Sequence, residues 1–191
     1  MEQPGKLTFR LYKEADKTAL EEFCHECALL GYENNASLKA MKLDQAYFFI
    51  ALDGNKIISV AGVHKLPEVN EHAWRCLFRG AQLHGYTPQW SLDIFKSGIH
   101  FSQFLYRQIK LVQDIDPQAE FYVSTNVKSN TGAKSSRLND VMMPRIAKRG
   151  IWKLHLENFE LYHVPQNLWK VNVAVYMGLR ERWLSGESYT D

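Results

Sequence analysis

The residues Cys24-His25-Glu26-Cys27 carry side chains of the kind that ligate zinc or exchange disulfides, crowded into consecutive positions. A structural zinc site takes four ligands, and the one further cysteine, Cys76, has no paired histidine at finger spacing. Cys27 falls on an apolar stripe with Leu20, Phe23 and Leu30, and Cys24 on its flank, so both read as small buried hydrophobes and no metal site is expected. The odd cysteine count also argues against a secreted disulfide framework. A second cluster, Arg145-Ile146-Ala147-Lys148-Arg149, falls in the last turn of a predicted helix, where cations suit the helix dipole. With Lys128, Lys134 and Arg137 it reads either as a solvated face or as a basic region able to hold a phosphate.

Any such site needs a scaffold. The chain has 191 residues, 46% hydrophobic and 13% aromatic with 5 Trp, enough for one thick core, so a single domain over 1–191 is expected with its core over about 6–176 and a short helix and polar tail after it. Lys and Arg number 23 against 21 Asp and Glu, a net charge of +2, too balanced to make a nucleic-acid field the leading idea. No apolar run approaches the roughly 18 residues that span a bilayer, and the first six residues are too polar to head a signal peptide. A cytoplasmic protein without membrane association is the expectation.

Leu7, Phe9 and Leu11 alternate with Thr8, Arg10 and Tyr12, the period-two pattern of a half-buried strand over 6–12. Leu20, Phe23, Cys27 and Leu30 recur at helical spacing, with Asp16 in the first turn and Gly31 beyond the last, which predicts a helix over 15–30. A shorter helix is expected over 35–43. Two apolar runs, 47–52 and 56–63, flank Asp53-Gly54-Asn55, whose residues adopt positive φ at little cost, so the pair reads as a β-hairpin. A third meander strand over 72–83 follows, then a segment punctuated by Pro and Gly, 84–98, with a short helix over 88–96. From Ile99 the stripe Phe101, Leu105, Ile109 and Val112 predicts a helix of about four turns, ended by Asp116-Pro117. Next come a strand over 120–125, a polar loop, and a helix over 136–149 that kinks or restarts at Pro144 and stops at Gly150. Strands over 152–163 and 168–176 and a helix near 177–184 complete the chain.

In order, the elements run β, α, α, β, β, β, α, β, α, β, β. This order, with the hairpin carrying Asp53-Gly54-Asn55 and the helix exit Arg149-Gly150-Ile151, resembles the GNAT superfamily of N-acyltransferases over nearly the whole chain. The resemblance implies an α/β fold: a single GNAT-like domain with a mixed, mostly antiparallel sheet of about seven strands flanked by helices. It also implies acetyl-CoA or another acyl-CoA as co-substrate, bound where the fourth and fifth strands splay apart, and an amine-bearing acceptor that attacks the thioester. A monomer and a homodimer are both compatible with it.

A diphosphate calls for backbone N–H groups converging at a helix N-terminus, with small residues allowing close approach. The family's version is a Gln/Arg-x-x-Gly-x-Gly/Ala loop after the fourth strand, and two registers compete for it. Phe95-Lys96-Ser97-Gly98-Ile99-His100 puts Gly98 in front of the long helix, with Ser97 able to cap it and Lys96 adding charge, while Phe95 and His100 depart from the pattern. Gln82-Leu83-His84-Gly85-Tyr86-Thr87 matches the first Gln and Gly but leads only into the Pro88 segment. The first register is preferred. Lys96, Ser97, Gly98, Ile99 and His100 are then the expected acyl-CoA loop, and Leu83 lies on the strand edge, 77–83, that would pair with the pantetheine amides.

The resemblance also places an asparagine after the fifth strand and a tyrosine one turn before the glycine that ends the next helix. Asn126 and, after a polar insertion, Asn130 fit the first, with Asn139 a further position. Counting back from Gly150 gives Ile146 where the tyrosine should be, so the usual general acid is missing. An amine nucleophile must lose a proton near neutral pH, and His84 is the best-placed base, ahead of His64 and Asp93. The basic region around 128–149 would hold the nucleotide end of CoA or a phosphate-bearing acceptor. Two rivals stand beside this reading. One is a non-catalytic domain of the same fold that binds a partner or nucleotide. The other is a nucleic-acid base modifier, because 97–105, following Arg79 and Pro88, is similar in layout to phage DNA-modifying members that alter adenine.

Overall fold

The structure, a computed structural model, describes residues 8–29, 45–79, 99–127, 138–161 and 163–184. Its strands are β1 (Thr8–Leu11), β2 (Ala46–Asp53), β3 (Lys56–Lys65), β4 (Ala73–Arg79), β5 (Glu120–Asn126), β6 (Trp152–Leu161) and β7 (Val164–Val171). Its helices are α1 (Lys17–Leu29), α2 (Ile99–Ile115), α3 (Met143–Ala147) and α4 (Val173–Leu184). The strands form one seven-stranded sheet in the order β1-β2-β3-β4-β5-β7-β6, mixed and mostly antiparallel, as expected from the sequence. Packing divides the chain into two compact units, Met1–Lys65 with Cys76–Gln108, and Leu66–Arg75 with Ile109–Asp191.

In the first unit Phe9 and Arg10 are consecutive on β1 and therefore leave opposite faces. Phe9 meets Phe104 of α2 edge-on, ring centroids 5.5 Å apart, and the Arg107 guanidinium lies 5.8 Å from the Phe9 centroid. Arg10 turns the other way and donates to both oxygens of Asp16, at 2.6 and 2.7 Å, while Asp16 also accepts the Lys13 N–H at 2.8 Å. These bonds hold the 3-10 turn Glu14–Asp16 that leads into α1, and the bonded guanidinium keeps the Asp16 carboxyl below its ordinary range. Leu20, Phe23 and Cys24 of α1 pack on Phe48, Ile50 and Leu52 of β2 and on Ile57 and Val60 of β3. Burial pushes the Cys24 thiol up to about 11, so it serves as a packed apolar group rather than a nucleophile. The Cys27 side chain lies outside the described residues. Gly54 and Asn55 make the hairpin turn between the paired Asp53 and Lys56, with Gly54 at φ +58°.

In the second unit Asp116, just past α2, accepts from His72 Nδ1 at 3.1 Å and from Trp74 Nε1 at 3.1 Å. The residue read from the sequence as a helix stop is thus also the tie to the turn that starts β4. Leu66, Ala73, Tyr122, Leu161 and Leu168 form the core on one face of this part of the sheet.

Two expectations need correction. The last strand was expected over 168–176, yet β7 is Val164–Val171 and the chain is helical from Val173. The alternating Val171, Val173 and Val175 favour a strand on propensity, but Asn172 accepts the Val175 N–H on its side chain at 3.3 Å and the Tyr176 N–H on its carbonyl at 2.9 Å. That cap starts α4 instead. The helix expected over 136–149 is a π-helical turn, Leu138–Met142, followed by the short α3. Pro144 falls in the first turn of α3, where its missing N–H costs nothing, and Gly150 lies beyond the end at φ +73°. The helices expected over 35–43 and 88–96 lie outside the described residues.

Candidate functional site

Because α2 opens at Ile99, the first N–H groups left free by helix geometry belong to Ile99 and His100, inside the expected acyl-CoA loop. Leu83, His84, Lys96, Ser97, Gly98 and Asn130 lie outside the described residues, as does Asp93. The structure therefore places both ends of the segment 80–98, β4 up to Arg79 and α2 from Ile99. A buried side chain ties these ends together. Gln108, about two and a half turns into α2, donates its Nε2 to the Gly62 carbonyl of β3 at 2.9 Å and to the Leu77 carbonyl of β4 at 3.3 Å. Sequence reasoning passed over it, although a glutamine between Phe104, Leu105, Ile109 and Val112 is a polar interruption of the buried stripe.

The end of β5 collects a second set of polar groups, Ser124, Thr125 and Asn126, whose side chains alternate between faces. Ser124 Oγ accepts Nε of Arg75 at 2.8 Å, and Gln166 Oε1 accepts Nη2 of the same guanidinium at 3.1 Å; Arg75 is only 4% exposed. Asn126 falls on the same face as Ser124, opposite Gln166 in the strand register, and is half-buried. On the other face Thr125 Oγ1 accepts Trp169 Nε1 at 2.9 Å and donates to Asn139 Oδ1 at 2.8 Å. Asn139 Oδ1 also accepts Asn167 Nδ2 at 3.0 Å, and its own Nδ2 donates to Asp140 at 3.0 Å. Asn139 is thereby a brace for the π turn rather than a group presented to a ligand. Arg75, Thr125 and Gln166 were missed from sequence; a charged residue inside the apolar run Ala73-Trp74-Arg75-Cys76-Leu77-Phe78 was the available signal.

Ile146 is half-buried on α3, and Arg145, Lys148 and Arg149 around it are exposed, as a solvated helix end requires. His64 is buried, with Nδ1 donating to the Lys65 carbonyl at 2.7 Å, which makes it part of the scaffold. At the start of β5, Glu120 accepts from Lys170 Nζ at 2.6 Å, Tyr122 OH at 2.8 Å and Asn70 Nδ2 at 3.0 Å. Those bonds hold its carboxyl down to about 2, while burial, and then the bonded Glu120, push the Tyr122 hydroxyl up. Among the described residues no helix is long and apolar enough to cross a membrane, and no three His, Cys, Asp or Glu side chains converge as a metal cluster.

No protein-family model and no curated protein sequence matches the chain. Solved structures share its architecture. An uncharacterized protein from Bacillus halodurans aligns over 95% of this chain and 92% of its own, with TM-score 0.60 and 12% identity. A GNAT-family acetyltransferase from Streptococcus pneumoniae aligns over 86% of this chain and 98% of its own, with TM-score 0.52 and 11% identity. The spermidine N-acetyltransferase of Vibrio cholerae, solved in complex with CoA and spermine, aligns over 90% and 98%, with TM-score 0.50 and 10% identity. Identities this low speak to architecture, and on architecture the sheet order and these alignments agree: the chain has the fold of the GNAT acetyltransferases.

Proposed function

We propose that the protein is an acyl-CoA-dependent N-acyltransferase that moves an acetyl or other acyl group onto an amine-bearing acceptor. The supporting observation is the extent of the fold likeness, which spans most of the chain and includes an acetyltransferase solved with CoA and spermine. In this reading the CoA diphosphate lies against the backbone of Lys96, Ser97, Gly98, Ile99 and His100, the last two carrying N–H groups that helix geometry leaves free. The pantetheine arm follows β4 from Leu77 toward Leu83. His84 takes the proton of the acceptor amine, whose nitrogen attacks the thioester carbonyl carbon, while Asn126 acts beside it at the reacting groups and Asn130 binds the cofactor. The tetrahedral intermediate then expels CoA as a thiolate and leaves the amide. A thiol is far more acidic than an amine or an alcohol, so its thiolate departs without an obligatory side-chain acid, which fits Ile146 at the tyrosine position.

Calorimetric titration with acetyl-CoA, followed by an acylation assay over polyamines, amino sugars and peptide N-termini, tests the proposal. Saturable binding with an amide product supports it, and absence of acyl-CoA binding by folded protein sinks it. A second reading, a binding protein of this fold without catalysis, is favoured by the same Ile146. Acyl-CoA binding with no turnover across the panel would select it.

A further inference from the structure

The segment that the acyl-CoA reading assigns to the ligand leaves β4 and returns as α2, and both of its ends belong to one compact unit. At its base Gln108 is 1% exposed and reaches two strand carbonyls with one amide nitrogen, Gly62 at 2.9 Å and Leu77 at 3.3 Å. Apolar contacts between a helix and a sheet are non-directional and tolerate small sliding, whereas hydrogen bonds weaken steeply with misalignment. Two bonds from one planar amide therefore fix both the height and the rotation of α2 over β3 and β4. Leu105, Ile109 and Val112 around it are fully buried, so the amide has no water to turn to.

We infer that Gln108 is a positioning residue that sets the span between β4 and the N-terminus of α2. The inference rests on the acyl-CoA reading above. CoA is chemically two linked ligands, adenosine 3′,5′-bisphosphate and a phosphopantetheine arm, and the gain from linking two ligands depends on how well the protein's span matches the linker. A helix displaced along the strand would still bind either half but would lose the gain from holding both.

The experiment compares dissociation constants of CoA and of adenosine 3′,5′-bisphosphate for the wild type and Gln108→Met, which keeps length and bulk but has no donor, with melting temperatures alongside. The expected result is CoA affinity weakened by about tenfold or more while the bisphosphate binds as before. Equal weakening of both ligands would make Gln108 a general stabiliser, and unchanged affinity for both would make it filler; either result overturns the inference. A wild type that binds no CoA overturns the acyl-CoA reading and the inference with it, and is distinguishable from both. Should Gln108→Met fail to fold, Gln108→Asn, with the same amide one methylene shorter, takes its place with the same expected outcomes.

Discussion

Thr125 on β5 and Asn139 in the π turn share a buried hydrogen bond of 2.8 Å, and each is committed to a further partner, Trp169 at 2.9 Å and Asn167 at 3.0 Å. A π turn is an uncommon geometry that needs an external anchor, and this bond ties it to the sheet next to Asn126. Replacing Asn139 by Leu leaves the buried Thr125 hydroxyl and the half-buried Asn167 amide without that acceptor. The expected loss of stability is on the order of 1–3 kcal/mol. Urea unfolding of Asn139→Leu, Thr125→Val and the double variant checks it: the double variant should lose clearly less than the sum, and additive losses would mean the two residues act independently.

Glu120 carries a pH signature. Its folded value of about 2 lies below the 4.5 of an ordinary glutamate, so the unfolded chain binds the proton more readily. The stabilisation is complete above about pH 5 and is lost as pH falls from there toward 2. The Glu120 side chain is 33% exposed, and solvent screening brings the expected cost of Glu120→Gln at pH 7 to on the order of 1 kcal/mol. In denaturant titrations the gap between wild type and variant should narrow below about pH 5 and close only as pH falls through about 2. A gap that persists there would assign the loss to packing against Lys170 and Tyr122.

How much of this was legible beforehand differs by element. α2 begins and ends at the predicted residues because both its stripe and its Asp116-Pro117 stop are local. The hairpin was legible for the same reason, since Gly54 supplies the positive φ the turn needs. The boundary between β7 and α4 was not, because one side-chain cap at Asn172 outweighed the strand propensity of three valines. Gln108, Arg75 and Asn139 could be seen as polar residues in apolar or turn settings, but their partners lie far away in sequence, Gly62 and Leu77, Gln166, and Asn167, and only the fold brings them together.

Gly62 offers a packing test. It sits opposite Phe48 in the β2–β3 ladder, and a Cβ there would lie 2.5 Å from the ring of a side chain that is itself buried. The ring is packed in the core with Leu20 and Phe23, so it has little room to swing away. Gly62→Ala should cost about 1–3 kcal/mol, the usual range for overpacking. Adding Phe48→Leu should recover part of that loss, and a destabilisation that Phe48→Leu only deepens would locate the strain elsewhere.

The last test concerns proton transfer. A protonated amine has no lone pair for the thioester, so catalysis by direct attack needs a base, and His84 is the proposed one. Of the described groups, His64 is buried with Nδ1 committed to the Lys65 carbonyl, and Tyr122, bonded to Glu120, keeps its proton far above neutral pH. The profile of kcat/KM should then rise through one ionisation near neutrality, with no high-pH fall from a tyrosine acid on α3, because Ile146 stands at that position. His84→Ala should flatten the rising limb and lower the rate by roughly a hundredfold or more, the usual scale of general-base catalysis. A variant that keeps both the full rate and the same rising limb would make His84 a bystander. If the rate falls with the limb unchanged, the histidine contributes to binding, and the ionisation belongs to the acceptor amine itself.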